Sequence, residues 1–227
     1  MKSMIFDPRT NEKIIKSAEQ HGFRVVLADF IEGIDPSVAG HPDMQLVEIN
    51  GKLIVNPGSY GYYSKFFSKD MLVCGKNYVQ GKYPDYVAYN IALSGNYALH
   101  NFKYTDPVVM EALGGYEKIN VKQGYTKCSV ATTPFGVITA DKGIINSLQN
   151  TALKFVEVSE GEISLFGKQN GFIGGASGYS DGKMYFAGDV TSHVDYALIK
   201  KFCDEKCIEI VCLSNDKLAD IGSIIIF

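Results

Sequence analysis

Apolar and polar positions along this chain follow two alternating rhythms. Short apolar runs at residues 4–6, 53–55, 97–99, 137–139 and 184–186 stop at small or polar residues, among them Asp7-Pro8, Asn56-Pro57 and Asp141. Asp, Asn and Pro in such places cap or open helices, and the stretches 11–20, 106–113, 142–152 and 190–202 that follow carry apolar residues at helical spacing. An aromatic segment, 60–67, takes the helix position after Asn56. Each helical stretch gives way to a β-branched run, at 23–27, 71–74, 119–121, 155–158 and 208–211, which reads as a buried strand.

Hairpins complete the pattern. Asn50-Gly51 sits inside the alternating run 44–55, and two turn residues that tolerate positive φ between apolar runs are the strongest short hairpin signal. Asp181-Gly182 joins 171–179 to 183–186, and Thr133-Pro134-Phe135-Gly136 joins 125–131 to 137–139. The unit is helix, strand, hairpin, and it recurs about five times at a spacing of about 45 residues. One copy is split: 218–227 offers a first hairpin strand with nothing after it, and 3–6 a second strand with nothing before it. Pairing them closes a ring and removes two exposed sheet edges. The expected fold is α/β, a five-bladed β/α propeller in a single domain 1–227; the alternative is an open α+β sandwich.

Composition narrows the function. A net charge of −3 with 21% charged residues lacks the clustered Lys and Arg of a nucleic-acid surface, and no apolar run reaches membrane-spanning length. Residues 1–6 are too short for a signal core, so the expected location is cytoplasmic. Five cysteines, an odd number, point to reduced thiols, and Cys203, Cys207 and Cys212 lack the paired Cys-x-x-Cys spacing of a zinc ribbon; they read as structural. His193 follows Thr191-Ser192 and reads as a surface or capping residue, as do His21 and His100.

Candidate chemistry starts at His41-Pro42-Asp43, at the mouth of the first hairpin, where strand alternation with a period of two projects both side chains to one face. Two further motifs stand at the equivalent point of later hairpins: Gly124-Tyr125-Thr126-Lys127-Cys128-Ser129 and Asp220-Ile221-Gly222-Ser223-Ile224-Ile225. The glycine-rich stretch 171–178 lacks a Gly-Lys-Ser/Thr ending and is turned back by Asp181-Gly182, so it reads as a hairpin whose glycines permit close approach, not as a phosphate loop.

The repeat and the three motifs together resemble the pentein fold of guanidine-modifying enzymes: arginine deiminase, agmatine deiminase, amidinotransferase and dimethylarginine dimethylaminohydrolase. A non-enzymatic ribosome anti-association factor shares that fold. The resemblance implies His41 as general acid/base, Asp43 as a holder of the substrate cation, Cys128 as nucleophile and Asp220 as a substrate-binding carboxylate, with Lys127 and Ser177 as further substrate-binding candidates. It also implies a thiolate, since Cys128 stands beside Lys127 and faces His41. Cys128 as a small buried strand residue is the competing reading. The family's Phe-x-Arg-Asp segment falls at 171–178, where neither the Arg nor the Asp is present, which speaks against arginine as substrate. The expected activity is a cysteine-dependent hydrolase or transferase acting on a small amidine, guanidine or amide-like molecule, without metal or cofactor. The alternative is a non-catalytic propeller that binds a protein or ligand.

Overall fold

Helices begin where an Asn or Asp side chain accepts from backbone amides that the first turn leaves without partners. The computed structural model describes residues 1–168 and 170–227. Strand β1 (Ser3–Phe6) leads to α1 (Glu12–Gln20), capped by Asn11 on the Lys13 amide, and to β2 (Arg24–Leu27). A helical turn, α2 (Pro42–Gln45), enters the hairpin of β3 (Leu46–Ile49) and β4 (Lys52–Val55). Asn56 caps α3 (Pro57–Tyr63), and β5 (Leu72–Cys74) follows. The next unit is β6 (Ala92–Ser94), β7 (Tyr97–His100), α4 (Pro107–Ala112) under its Asp106 cap, and β8 (Glu117–Asn120). A second helical turn, α5 (Thr126–Ser129), enters β9 (Val130–Thr133) and β10 (Gly136–Thr139); α6 (Lys142–Leu148), capped by Asp141, and β11 (Phe155–Glu157) complete that unit. The last elements are β12 (Ser177–Ser180), β13 (Lys183–Phe186), α7 (Tyr196–Glu205), β14 (Glu209–Cys212) and β15 (Ile225–Ile226).

These strands form five three-stranded sheets of one design: β3-β4-β5, β6-β7-β8, β9-β10-β11, β12-β13-β14 and β15-β1-β2. In each, the first strand runs antiparallel to the middle one and the third runs parallel to it. The chain ends pair as expected, Met4 opposite Ile226 and Ile5 opposite Ile225. Ile5 and Ile225 also pack with Leu46, Leu53 and Tyr63, which ties the terminal sheet to the next one. Asn50-Gly51 and Asp181-Gly182 both adopt the left-handed backbone that their hairpins need. First strands lie side by side, β9 against β6 and β12, and β12 against β15. Among the described residues no helix is long and apolar enough to cross a membrane.

Three expectations are corrected. The first hairpin strands are shorter than alternation predicts, because the residues before them coil into α2, α5 and the bend ahead of β12. The helix expected at 190–202 is divided into a short turn, Val190–Ser192, and α7. There the Ser192 hydroxyl donates to the Asp189 carbonyl and competes with the helical ladder. His100 and His193 are buried, not surface residues.

His100 is fully enclosed, its Nδ1 2.6 Å from the Thr105 hydroxyl, and burial lowers its pKa to about 4. The unfolded chain takes up the proton near pH 6.5. The resulting stability is therefore complete above pH 6.5 and is lost as pH falls toward 4, a difference on the order of 3 kcal/mol. Urea titrations at pH 7 and pH 4.5 are expected to show a smaller loss in His100→Asn than in the parent chain. Equal losses in the two proteins would refute the assignment.

Candidate active site

In each unit the segment just before the first hairpin strand turns toward one place. Pro42, with φ preset for a helix start, makes His41 the N-cap residue of α2 and puts Asp43 in its first turn. The stretch before β6 supplies Asn90, α5 supplies Cys128, the bend before β12 supplies Gly174 and Gly175, and the stretch before β15 supplies residues 220–223. Hydrogen bonds connect these segments in turn: the Asp43 amide to the Gly222 carbonyl, the Ser223 amide to the Gly175 carbonyl, and the Gly175 amide to the Cys128 carbonyl. The Lys127 amide donates to Asn90 Oδ1 at 2.7 Å, and Asn90 Nδ2 donates back to the Asp43 carbonyl at 3.4 Å.

Glycine makes this convergence possible. A Cβ on Gly175 would lie 1.9 Å from Asp220 Oδ1, one on Gly174 2.3 Å from the Lys127 carbonyl oxygen, and one on Gly222 2.3 Å from the His41 Cβ. The glycine-rich stretch thus serves close approach, as expected.

At the centre the Cys128 thiol donates to Asp43 Oδ2 at 3.1 Å, and the Ser223 hydroxyl donates to the same oxygen at 2.6 Å. Asn90 Nδ2 lies 3.4 Å from the sulfur. A ring nitrogen of His41, the Cys128 Sγ and an Asp220 oxygen lie within 4.8 Å of one another. His41 Nε2 stands 3.9 Å from Asp220 Oδ1 and 4.0 Å from Asp7 Oδ2. Asp220 accepts from the Phe172 and Gly222 amides, and the Arg9 guanidinium grips both oxygens of Asp7. His41, Asp43 and Cys128 are each 1% exposed.

The expected His41, Asp43, Cys128 and Asp220 therefore meet, though not by strand alternation: His41 is the N-cap residue of a helical turn and Asp43 lies within it. Ser177 is buried nearby in sequence, and its hydroxyl donates to the Gly174 carbonyl within its own turn. The motifs do not single out Asn90, Ser223 or Asp7, the last of which reads in sequence as a strand stop and helix opener. Asn90 was recoverable, because it precedes β6 as Cys128 precedes β9. The fold brings three ligand-type groups together here, those of His41, Cys128 and Asp220. The ligand atoms of His41, Cys128 and Asp220 are near enough to share a metal ion, which would first have to displace the proton that the thiol donates to Asp43.

Electrostatics overturn the expectation of a resting thiolate. Burial, then the charges of Asp43 and Asp220 and the hydrogen bond to Asp43, push the Cys128 thiol well above its ordinary pKa. Burial also raises Asp220, against the opposing pull of His41 and the two amides. Lys127 is pulled down by burial, while Asp43, Cys128 and Asp220 act to keep its charge. Its stem is half-buried, but its Nζ is enclosed and makes no hydrogen bond to a described residue; the same holds for His41 Nδ1 and Asp43 Oδ1. Buried polar atoms are nearly always paired with protein or water, so three such atoms in one cluster are open to a water or a ligand.

Two cavities flank the cluster. One, about 230 Å³, is lined by residues of all five first hairpin strands and reaches Asp43 and Lys127 between apolar walls that include Leu46, Ile91, Leu93 and Ile225. The other, about 650 Å³, reaches Asp7 and Asp220 beside Arg9 and Phe166.

The sequence model of a family of unknown function (DUF6873) matches residues 5–225. No curated protein matches. A solved structure titled "C. Jejuni Agmatine Deiminase" superposes with a TM-score of 0.55 over 94% of this chain and 87% of that one, at 9% identity. At that identity the likeness carries the fold alone.

Proposed function

Because the chain belongs to DUF6873, a family of unknown function, we propose its activity from its own site: a cysteine-dependent hydrolase or transferase that cleaves a C–N bond in a small amidine, guanidine or amide-like molecule. One observation carries the reading, namely that the Cys128 sulfur, a His41 ring nitrogen and an Asp220 oxygen lie within 4.8 Å while Asp43 accepts from the thiol. The proposed scaffold is one domain, a closed five-bladed propeller. In its favour stand the paired chain ends, the five sheets of one design and the single cavity that all five first strands line.

In the proposed reaction the head group enters between Asp43 and His41, whose Oδ1 and Nδ1 have no other partner. A protonated resting thiol makes the nucleophile dependent on that event: hydrogen bonds that occupy the Asp43 carboxylate reduce its hold on the sulfur's pKa. Sγ transfers its proton within the cluster and bonds to the planar carbon, the C–N bond breaks, and the departing nitrogen takes a proton from His41. Water activated by His41, or an acceptor amine in a transferase, then releases the product and restores the thiol.

Thiol labelling tests this reading. Cys74 and Cys207 are exposed and Cys212 is half-buried, whereas Cys128 and Cys203 are buried, so passive exposure predicts that Cys128 reacts late and no faster than Cys203. In a Cys74→Ser, Cys207→Ser background, a haloacetamide or haloacetamidine is expected to label Cys128 with saturation, and the rate is expected to drop in His41→Ala. Non-saturating labelling that tracks exposure would discard the enzyme.

A further inference from the structure

We infer that the head group this site takes is neutral and carbonyl-bearing, of the carboxamide type, and that its carbonyl oxygen binds the Lys127 ammonium. This rests on the cysteine-hydrolase reading and narrows its substrate class.

The first observation is the pair of orphan atoms at the head of the axial cavity. Lys127 Nζ is an enclosed donor without an acceptor, Asp43 Oδ1 is an enclosed acceptor without a donor, and both residues line that cavity. A buried ammonium left unpaired is costly, so the ligand has to bring it an acceptor. A carboxamide satisfies both atoms at once, its N–H on Asp43 and its oxygen on Lys127. A guanidinium has donors only, so it leaves Lys127 unpaired.

Asp7 is matched by Arg9, which leaves the Asp43 and Asp220 carboxylates against the Lys127 ammonium and the His41 ring. Residues 171–178 add no carboxylate to this set, so the discrimination between head groups falls on the Lys127 donor, which a guanidinium cannot satisfy. The walls of the same cavity combine Leu46, Ile91, Leu93 and Ile225 with Glu48 and Tyr89, and suit a body of mixed polarity behind the head.

The step balances as follows. The thiol proton passes to Asp43 as Sγ bonds to the carbonyl carbon, and the oxygen takes up negative charge against Lys127. The C–N bond breaks, the proton first taken by Asp43 reaches the departing nitrogen by way of His41, and an amine leaves a thioester on Cys128. Water gives one proton to His41 and its oxygen to the acyl carbon; the C–S bond breaks, the carboxylic acid leaves, and His41 returns the proton to sulfur.

Two probes of nearly equal shape decide it. In the Cys74→Ser, Cys207→Ser background, neutral 2-chloroacetamide and cationic 2-chloroacetamidine are compared as saturable inactivators of Cys128, each rate divided by that with free cysteine at the same pH. The amide is expected to be favoured at least about tenfold, and Lys127→Met to erase that preference while Lys127→Arg keeps it. An amidine favoured by the parent protein overturns the inference and leaves the hydrolase reading intact. A preference unchanged in Lys127→Met also overturns it. Failure of both probes to saturate at Cys128 overturns the hydrolase reading and the inference with it.

Discussion

Asp43→Asn is expected to act on Cys128 in two opposite senses: faster alkylation of the sulfur by a small neutral reagent at pH 8, and loss of turnover. Asp43 accepts from the thiol at 3.1 Å, and its charge is one of the causes that hold the thiol above its ordinary pKa. Below the thiol pKa the thiolate fraction rises tenfold for each unit by which that pKa falls. Removing the nearest carboxylate charge is therefore expected to speed alkylation. The same substitution removes the acceptor for the thiol proton and a hydrogen-bond partner of the head group. A structural cysteine without catalytic duty has no turnover to lose. Slower alkylation in Asp43→Asn, measured by mass spectrometry against pH, would show that access and not charge governs the sulfur.

Gly222→Ala is expected to be the most damaging small substitution in the site. Gly222 has φ +73°, and an added Cβ would lie 2.3 Å from the His41 Cβ and 2.5 Å from its Cα, so relief requires moving α2 itself. Gly51 is the internal control, with the same φ of +73° and nothing within 4 Å of an added Cβ. Gly51→Ala therefore carries only the backbone strain, about 1 kcal/mol, while Gly222→Ala adds overpacking of about 1–3 kcal/mol. Urea denaturation of the two variants measures the difference. Equal costs would mean that His41 is not pressed onto the Gly222 backbone.

Much of the architecture was legible because it is local. Asn50-Gly51 and Asp181-Gly182 need no distant partner to bend the chain, and Asn56, Asp106 and Asp141 cap helices whose amides are two or three residues away. The repeat of such signals also exposed the split unit and so the pairing of the chain ends. The motifs around His41, Cys128 and Asp220 marked the residues that converge. Asp7 was hidden because its position after β1 reads equally well as a helix opener; Arg9 and the approach of His41 redirect it. Asn90 carries no motif of its own, and only its contacts with both Cys128 and the Asp43 carbonyl distinguish it.

What the residue order determined by itself is the rhythm of strand, turn and cap, since those choices are made among neighbours a few bonds apart. The state of the sulfur was decided by the tertiary structure alone. Asp43 is 85 residues from Cys128 and 180 from Ser223, yet all three share one buried space. Whether a thiol keeps its proton, or an ammonium goes without a partner, depends on the charges and the water around it, and those are set only when distant segments close over them.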